Sequence, residues 1–185
     1  MVEPLANAVH AWRLANPDAA AAAPARVGII GAGTIGLVCL LVAKHAGAAG
    51  VSVVDLADSR LGLARELGAD GTGSALEGEY DLVVDAVGSA ATHRASVSQL
   101  CPGGTAVWLG LLDDASGFGA HELIRGEKRV LGSFCYSDEE FRQAVDLATK
   151  VELGWAHSFP LERGATVFTE LMNGRTDVTK ALLTP

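Results

Sequence analysis

Apolar and polar positions follow two alternating patterns along the chain. Continuous apolar runs bounded by Gly or Pro are typical of buried strands, and apolar positions that recur every three or four residues are typical of helices. The runs predict strands over residues 27–30, 51–55, 82–86, 105–109, 129–136 and 179–183. The helical spacing predicts helices over residues 3–15, 34–46, 59–67, 91–100, 137–150 and 164–173.

Strands and helices alternate at regular spacing from residue 26 onward. Such alternation favours parallel strands whose connecting helices cover both faces of one sheet. We therefore predict an α/β fold with a doubly wound parallel sheet, the Rossmann fold, over residues 25–185. An N-terminal helix and linker over residues 1–24 are expected to lead into it, with a loop in the Ala- and Pro-rich run at 19–24.

Composition and charge narrow the range of functions. Of the 185 residues, 49% are hydrophobic and 5% are aromatic, so a core of small aliphatic side chains is expected. The formal net charge of −8, without a dense basic cluster, argues against a nucleic-acid or membrane partner. No signal peptide or long apolar segment is recognisable, and a cytoplasmic location is expected. Cys39, Cys101 and Cys135 form no CxxC pair and predict buried, reduced thiols.

A glycine-rich turn follows the first predicted strand and opens a predicted helix. In this turn, Gly31 permits the tight bend, Gly33 lets the backbone approach a pyrophosphate, and Gly36 allows the helix to pack closely on the sheet. Free N–H groups near Thr34 and Ile35 would face the phosphates. The strand–turn–helix context indicates a dinucleotide site, and the alternative is a tight connection without a ligand.

Asp55 ends the second predicted strand, about 20 residues beyond the turn, as in dinucleotide-binding units. A carboxylate there accepts hydrogen bonds from ribose hydroxyls and repels a 2′-phosphate. The sequence therefore favours NAD over NADP as the cofactor. The alternative is an ordinary helix-capping aspartate before Asp58 and Ser59.

From these residues onward, the chain resembles the medium-chain zinc-dependent alcohol and polyol dehydrogenases, which include sorbitol, threonine and glucose dehydrogenases. The resemblance covers nearly the whole chain. It rests on the order and spacing of short stretches at residues 3–11, 31–36, 55–60, 67–70, 85–88, 102–104, 109–111, 132–134 and 180–182.

The resemblance implies further cofactor contacts. Arg60 matches the basic residue beside the adenosine ribose, and Val87 and Gly88 match the loop beside the adenine end. The stretches that hold the nicotinamide ring and its carboxamide are matched by Gly110, Leu111, Ser133 and Phe134. The alternative for these positions is structural, because glycines are common at strand ends and Phe134 could belong to the core.

Glu3 matches a residue of polyol-type members that lies at the catalytic zinc, directly or through water. An anionic oxygen suits Zn²⁺, but a carboxylate is also favourable at a helix N-terminus, and the sequence leaves both readings open. His10 is expected to be a helix-surface or packing histidine and not a ligand. Since the five histidines form no close ligand pair, zinc is expected only in an intact enzyme.

The chain also departs from the family. The family's N-terminal catalytic domain, which supplies the zinc ligands, is absent from this sequence, so no catalytic residue is expected in this chain and the chain alone is expected to be inactive. The segment at residues 69–81 is short and Gly-rich where the family usually has a helix, so the third strand is expected to be a stub. Family members commonly pair through an edge strand, and the apolar run at 130–136 suggests a homodimer formed in this way.

The sequence therefore predicts the NAD(H)-binding domain of a zinc-dependent alcohol or polyol dehydrogenase, in which hydride passes between a small alcohol substrate and NAD. A stand-alone NAD-binding or interaction module without catalysis is the first alternative, suggested by the missing zinc ligands. A zinc-free quinone or enoyl reductase relative is the second, although Asp55 and Glu3 argue against it. A methyltransferase is disfavoured by the matches after residue 104.

Overall fold

A computed structural model describes residues 1–16, 18, 23–114, 118–174 and 178–185 of the chain. Residues 19–22 of the predicted linking loop lie outside the described residues. The strands are Arg26–Ile30 (β1), Gly50–Val54 (β2), Gly71–Gly73 (β3), Tyr80–Asp85 (β4), Leu100–Trp108 (β5), Arg129–Gly132 (β6), His157–Pro160 (β7) and Ala181–Thr184 (β8). The helices are Val2–Ala15 (α1), Thr34–His45 (α2), Asp58–Glu66 (α3), Ala90–Ser98 (α4), Ala120–Arg125 (α5), Asp138–Ala148 (α6) and Gly164–Met172 (α7), with a 3₁₀ turn at Leu161–Arg163.

The main sheet has six parallel strands in the order β3-β2-β1-β4-β5-β6. The chain moves outward from β1 to β3 and then crosses back to place β4 on the other side of β1. At the carboxyl end of β1, Ile30 pairs with Val54 of β2 and with Asp85 of β4. The prediction of a doubly wound α/β fold is confirmed, and ligands of such folds bind where the strand order reverses, between β1 and β4.

Helices cover both faces of this sheet. On one face, α1 and α2 pack together, and fully buried Leu5, Leu37 and Leu40 belong to a core cluster shared with the sheet. On the other face, buried Val97 of α4 packs in a second cluster with strand residues. The helix predicted at residues 3–15 is therefore part of the main core.

Contacts to the buried Glu140 carboxylate hold α1 against α6. His10 Nδ1 lies 3.0 Å from Glu140 Oε1, and Arg13 Nη1 lies 3.5 Å from the same oxygen. Glu140 Oε2 also accepts from the Ser137 N–H at 2.7 Å, within the predicted capping box. His10 thus packs between helices, as the sequence predicts. Burial raises the pKa of Glu140, but the Ser137 and His10 hydrogen bonds outweigh this effect and leave the pKa below its ordinary value.

The C-terminal segment returns to the carboxyl edge of the main sheet. Strands β7 and β8 form a separate two-stranded parallel sheet, and the His157 N–H donates to the Lys180 carbonyl at 2.9 Å. One residue earlier, the Thr179 carbonyl accepts from Thr34 Oγ1, at the start of α2, at 3.1 Å. Residues 178–180 therefore lie beside the glycine-rich turn.

Several element boundaries differ from the predictions. β5 begins at Leu100, inside a predicted helix, because a register shift between Tyr80 and Leu82 of β4 accommodates the Pro102–Gly103 stretch within the ladder. β6 ends at Gly132 instead of residue 136, and Cys135 then turns the chain with a φ of +58°. α5 and β7 were not predicted. The expected stub is confirmed, since β3 has three residues and no helix separates it from β4.

No helix within the described residues is long and apolar enough to span a membrane. The three cysteines are all free, but their environments differ. Cys39 is buried, which raises the pKa of its thiol to about 12. Cys101 is half-buried and Cys135 is exposed, so the expectation of three buried thiols is correct for Cys39 alone.

Candidate functional site

The glycine-rich turn is folded tightly against the ends of β1 and β2. Gly31 has a φ of +98°, a conformation that L side chains rarely adopt, and its N–H donates to the Val54 carbonyl at 2.8 Å. A Cβ on Gly36 would overlap the Gly31 carbonyl oxygen. Both glycines are therefore required by the backbone, as the sequence predicts for the bend and for close helix packing.

The outer side of the turn is open. Gly33 precedes the first residue of α2, and a Cβ placed on it would meet no described atom within 4 Å. No side chain among the described residues caps the N-terminus of α2, so the first N–H groups of the helix point into this open space. Ile35 packs at the edge of the core and fixes the orientation of the first turn. This end of the helix can accept an anion.

Asp55 follows β2 and is bonded to the turn itself. Its Oδ2 accepts from the Ala32 N–H at 2.7 Å, and its Oδ1 accepts from the Ala57 N–H at 2.9 Å. Arg60 Nη1 lies 3.7 Å from Oδ2. α3 begins at Asp58 without a side-chain cap, so Asp55 does not serve as its helix cap.

Asp85, at the end of β4, holds two loops that flank the reversal point of the sheet. Its buried Oδ1 accepts from the N–H groups of Val87 and Gly88, each at 2.9 Å. Its main-chain carbonyl accepts from the N–H groups of Leu109 and Gly110 at 2.9 and 3.0 Å. The loop after β4 and the loop after β5 are thus tied to one residue.

Two glycines let these loops pack directly on each other. Gly88 has a φ of +79°, and a Cβ on it would overlap Gly110, while a Cβ on Gly110 would overlap Val87 and Gly88. The Asp113 N–H donates to the Gly88 carbonyl at 2.9 Å and extends the contact. The predicted sites at 87–88 and 110–111 are therefore brought together, on the opposite side of β1 from Asp55.

A cavity of about 330 Å³ opens beyond these loops. It is lined by His93, Trp108, Gly110, Leu111, Asp113, Asp114, Gly132, Ser133 and Phe134. The His93 and Trp108 rings stack with centroids 3.9 Å apart, and Leu111 and Phe134 are 81% and 76% exposed at the mouth. The predicted sites at 110–111 and 133–134 thus share one cavity. The exposure of Phe134 excludes the reading that it is a core residue.

Ser133 is held in this cavity wall by its backbone. The Ser133 N–H donates to the Trp108 carbonyl at 2.9 Å, continuing the ladder beyond β6. Its buried Oγ has no hydrogen-bond partner among the described residues. The backbone of Ser133, rather than its hydroxyl, therefore determines its place in the wall.

Glu3 is exposed in the first turn of α1, where its Oε1 accepts from Asn7 Nδ2 at 3.0 Å. Partial burial and the nearby Glu3 carboxylate raise the pKa of Tyr136. The described residues contain no group of three His, Cys, Asp or Glu side chains able to hold a metal ion. A complete zinc site does not fit within this part of the chain.

Sequence reasoning missed Asp85, His93 and Trp108 as site residues. An Asp two residues before a Val-Gly turn is a typical acceptor for backbone N–H groups, so Asp85 carried a usable signal. His93 and Trp108 carried none, because they meet only when α4 packs beside β5. The Thr179 contact was also missed, since it joins segments 145 residues apart.

Comparisons with known proteins agree with this geometry. Residues 34–150 match the family model described as "Zinc-binding dehydrogenase". The chain is 32% identical to D-altritol 5-dehydrogenase of Agrobacterium fabrum (92% of this chain, 54% of the relative) and 32% identical to sorbitol dehydrogenase of Pongo abelii (94% and 53%). It therefore spans about half the length of the curated relatives it matches.

A solved structure, acetophenone reductase from Geotrichum candidum in complex with NAD, superimposes with a TM-score of 0.86 at 26% identity, covering 99% of this chain and 54% of that one. The fold, the strand–turn–helix site and the family match over residues 34–150 agree with one another. This chain therefore belongs to the zinc-binding dehydrogenase family.

Proposed function

We propose that this chain binds NAD(H) and acts as the coenzyme domain of a zinc-dependent alcohol or polyol dehydrogenase. The observation that carries the proposal is the open N-terminus of α2 at Gly33, with the Asp55 carboxylate bonded to the same turn at 2.7 Å. The altritol and sorbitol dehydrogenases that resemble the chain support a polyol as the substrate of the intact enzyme.

The phosphates would bind at the N-terminus of α2. The N–H groups of Thr34, Ile35 and Gly36 and the helix dipole together favour an anion there. Gly33 offers no Cβ on the open side, so the backbone can approach the pyrophosphate closely. A helix end and a bare backbone fit a pyrophosphate.

Asp55 would select NAD over NADP. Its carboxylate has two oxygens, each able to accept more than one hydrogen bond, so the bonds from Ala32 and Ala57 leave capacity for ribose hydroxyls. A 2′-phosphate at the same place would meet a negative charge at short range. Arg60, 3.7 Å from Asp55, would flank the same ribose and hold the carboxylate in position.

The nicotinamide half would lie on the other side of β1. The strand order places Val87 and Gly88 beside Gly110, and a Cβ on Gly31 would lie 2.7 Å from Val87 Cγ2, so this pair, matched above to the loop beside the adenine end, would also border the nicotinamide half. Gly110, Leu111, Ser133 and Phe134 line the cavity where the ring would fit. NAD supplies the hydride chemistry when bound, and these residues orient the ring and exclude water from it.

Zinc would enter only with ligands from a further domain. Glu3 is an exposed carboxylate in the first turn of α1, where it could join such a set directly or through water. The described residues supply no complete ligand group for the metal. The chain alone is accordingly proposed to bind cofactor without oxidising alcohols.

The lack of a complete metal-ligand group among the described residues supports a second candidate, a stand-alone NAD-binding or interaction module without catalysis. In either case we propose a homodimer, because among the described strands β6 lies at the edge of the sheet and pairs only with β5. A cytoplasmic location is proposed from the three free cysteines, which suit a reducing compartment. Sedimentation as a monomer at micromolar concentration would count against the dimer.

The direct test is isothermal titration calorimetry of the chain with NAD, NADH and NADP. We expect NAD to bind more tightly than NADP, and Asp55→Asn to reduce this preference by about tenfold, the effect of roughly 1.4 kcal/mol. Asp58→Asn is the matched control, since Asp58 is exposed in the first turn of α3. Failure to bind NAD or NADH would refute both candidates, and a preference for NADP would refute the role of Asp55 and favour the reductase relatives.

A further inference from the structure

We propose that Asp85 is a positioning residue that sets the two loops of the nicotinamide half before the cofactor binds. The inference rests on the proposed function, because it concerns the affinity of the same site for NAD(H). It assigns to a buried carboxylate a role that the phosphate turn and Asp55 do not cover.

Backbone N–H groups from two loops converge on Asp85. Oδ1 of Asp85 accepts from Val87 and Gly88, and its carbonyl accepts from Leu109 and Gly110. The Asp85 side chain is fully buried, so these bonds are shielded from water and are worth more than bonds at a surface. One residue therefore fixes the loop after β4 relative to the loop after β5.

The two loops meet through backbone groups. A Cβ on Gly88 or on Gly110 would overlap the facing loop, and the N–H groups of Leu112 and Asp113 donate to the Val87 and Gly88 carbonyls at 3.3 and 2.9 Å. A displaced Val87 backbone would meet Gly110 directly, so a small shift on one loop must be transmitted to the other. Preorganised loops bind a ligand more tightly because less ordering is required on binding.

The second carboxylate oxygen of Asp85 shows which property of the side chain the loops use. Asp85 Oδ2 is buried and has no hydrogen-bond partner among the described residues, and His93 Nε2 lies 3.9 Å from it. An uncharged amide can therefore replace the carboxylate, with its oxygen in the place of Oδ1 and its NH₂ group toward His93. The acceptor function of Oδ1, rather than the charge, is the property that the two loops use.

The experiment compares Asp85→Ala and Asp85→Asn by calorimetric titration with NADH and, separately, with AMP. AMP would contact the Asp55 side of β1, whereas NADH spans both sides. We expect Asp85→Ala to weaken NADH binding by about tenfold or more, as for the loss of hydrogen bonds to a charged acceptor. AMP affinity should change by less than about twofold, a few tenths of a kcal/mol, and Asp85→Asn should restore NADH binding.

Asp81→Ala is the matched control. Asp81 is the same residue type on the same strand, and its Oδ2 also accepts a backbone N–H, from Arg26 at 2.8 Å. It lies at the opposite end of β4, so its removal should leave NADH and AMP affinity unchanged. Thermal unfolding of all variants checks that each is folded at the titration temperature.

The outcomes separate this inference from the proposed function. If the unaltered chain binds neither NADH nor AMP, the proposed function is wrong. If the unaltered chain binds NADH and Asp85→Ala binds it equally well, the positioning role is refuted. Equal losses of NADH and AMP in Asp85→Ala, or failure of Asp85→Asn to restore binding, would also overturn it, because the effect would then be general or due to charge.

Discussion

The two glycines at the start of α2 should respond to alanine substitution in opposite ways. Gly33→Ala is expected to leave the fold intact and to abolish tight NAD binding. Gly36→Ala is expected to destabilise the fold itself. The contrast follows from what a Cβ would meet: no described atom within 4 Å of Gly33, but the Gly31 carbonyl oxygen at Gly36.

The cost of Gly36→Ala is set by a backbone that cannot yield easily. The Gly31 N–H is bonded to the Val54 carbonyl at 2.8 Å, and the new methyl would also lie 3.4 Å from Ile29 Cγ2. Overpacking of this kind costs about 1–3 kcal/mol, occasionally more. Alanine regains up to about 1 kcal/mol of helix propensity over glycine. Because the overlap is with backbone, we expect a net loss of about 2 kcal/mol in the free energy of unfolding.

Two small effects oppose each other in Gly33→Ala. Its φ of −76° suits alanine, and the stiffer unfolded chain contributes about 0.4–1 kcal/mol of stability. Alanine is a poorer helix cap than glycine, with a cost of about 0.5–1 kcal/mol. The sum is within about 1 kcal/mol of zero. The methyl, however, would stand where the pyrophosphate approaches, and loss of hydrogen bonds to a charged group costs about 1.5–3 kcal/mol, or roughly tenfold to a hundredfold in affinity.

Urea unfolding followed by tryptophan fluorescence measures the stability of both variants, and calorimetric titration with NAD measures binding. NAD affinity of Gly33→Ala equal to that of the unaltered chain would show that the phosphates do not bind at this turn. Unaltered stability of Gly36→Ala would show that the helix does not pack as closely as the overlap implies.

Three further predictions test other parts of the structure. The pKa of Glu140 is lowered from its ordinary 4.5, so its ionised form stabilises the fold above that value, and this stabilisation is lost as the pH falls through the folded pKa. The difference in unfolding free energy between the unaltered chain and Glu140→Gln, measured by urea unfolding, should therefore shrink on acidification. A difference that does not change with pH would contradict this prediction. Ser133→Ala should leave the unfolding free energy unchanged or raise it by up to about 1 kcal/mol in the same assay, because the lost hydroxyl has no hydrogen-bond partner among the described residues. A loss of more than about 1 kcal/mol would show that the hydroxyl does have a partner. Trp108→Phe removes the 2.8 Å hydrogen bond from Nε1 to Ser96 Oγ and should cost about 1 kcal/mol. The same variant should lose most energy transfer from tryptophan to bound NADH, since Trp108 lines the cavity; undiminished transfer would place the nicotinamide elsewhere.

The sequence was sufficient for the sheet because each central strand is apolar on both faces and is bounded by a glycine or a helix signal. It was insufficient where local signals conflict with pairing. Pro102 and Gly103 predict a break, yet β5 runs through them, because a register shift opposite Leu82 accommodates them. α5 escaped prediction because it has six residues and none of them is buried, so its apolar pattern is too short to recognise.

The same reasoning explains which parts of the site were predictable. The phosphate turn is contiguous, and each glycine in it has a local backbone requirement that the sequence shows. The cavity side of the candidate site is assembled from two loops whose contact at Gly88 and Gly110 depends on β4 lying next to β5. Such a contact has no local signature, so the role of Asp85 could be inferred only from the three-dimensional structure.

Asp55 and Asp85 use one device at two strand ends, and exposure gives them different roles. Each carboxylate accepts backbone N–H groups from an adjacent loop, at 2.7 and 2.9 Å for Asp55 and twice at 2.9 Å for Asp85. The Asp55 side chain is 10% exposed beside a largely exposed Arg60, whereas Asp85 is 0% exposed. A ribose hydroxyl can therefore reach Asp55 but not Asp85. Substitution of Asp55 should thus alter the choice between NAD and NADP, whereas substitution of Asp85 should weaken both without changing their ratio.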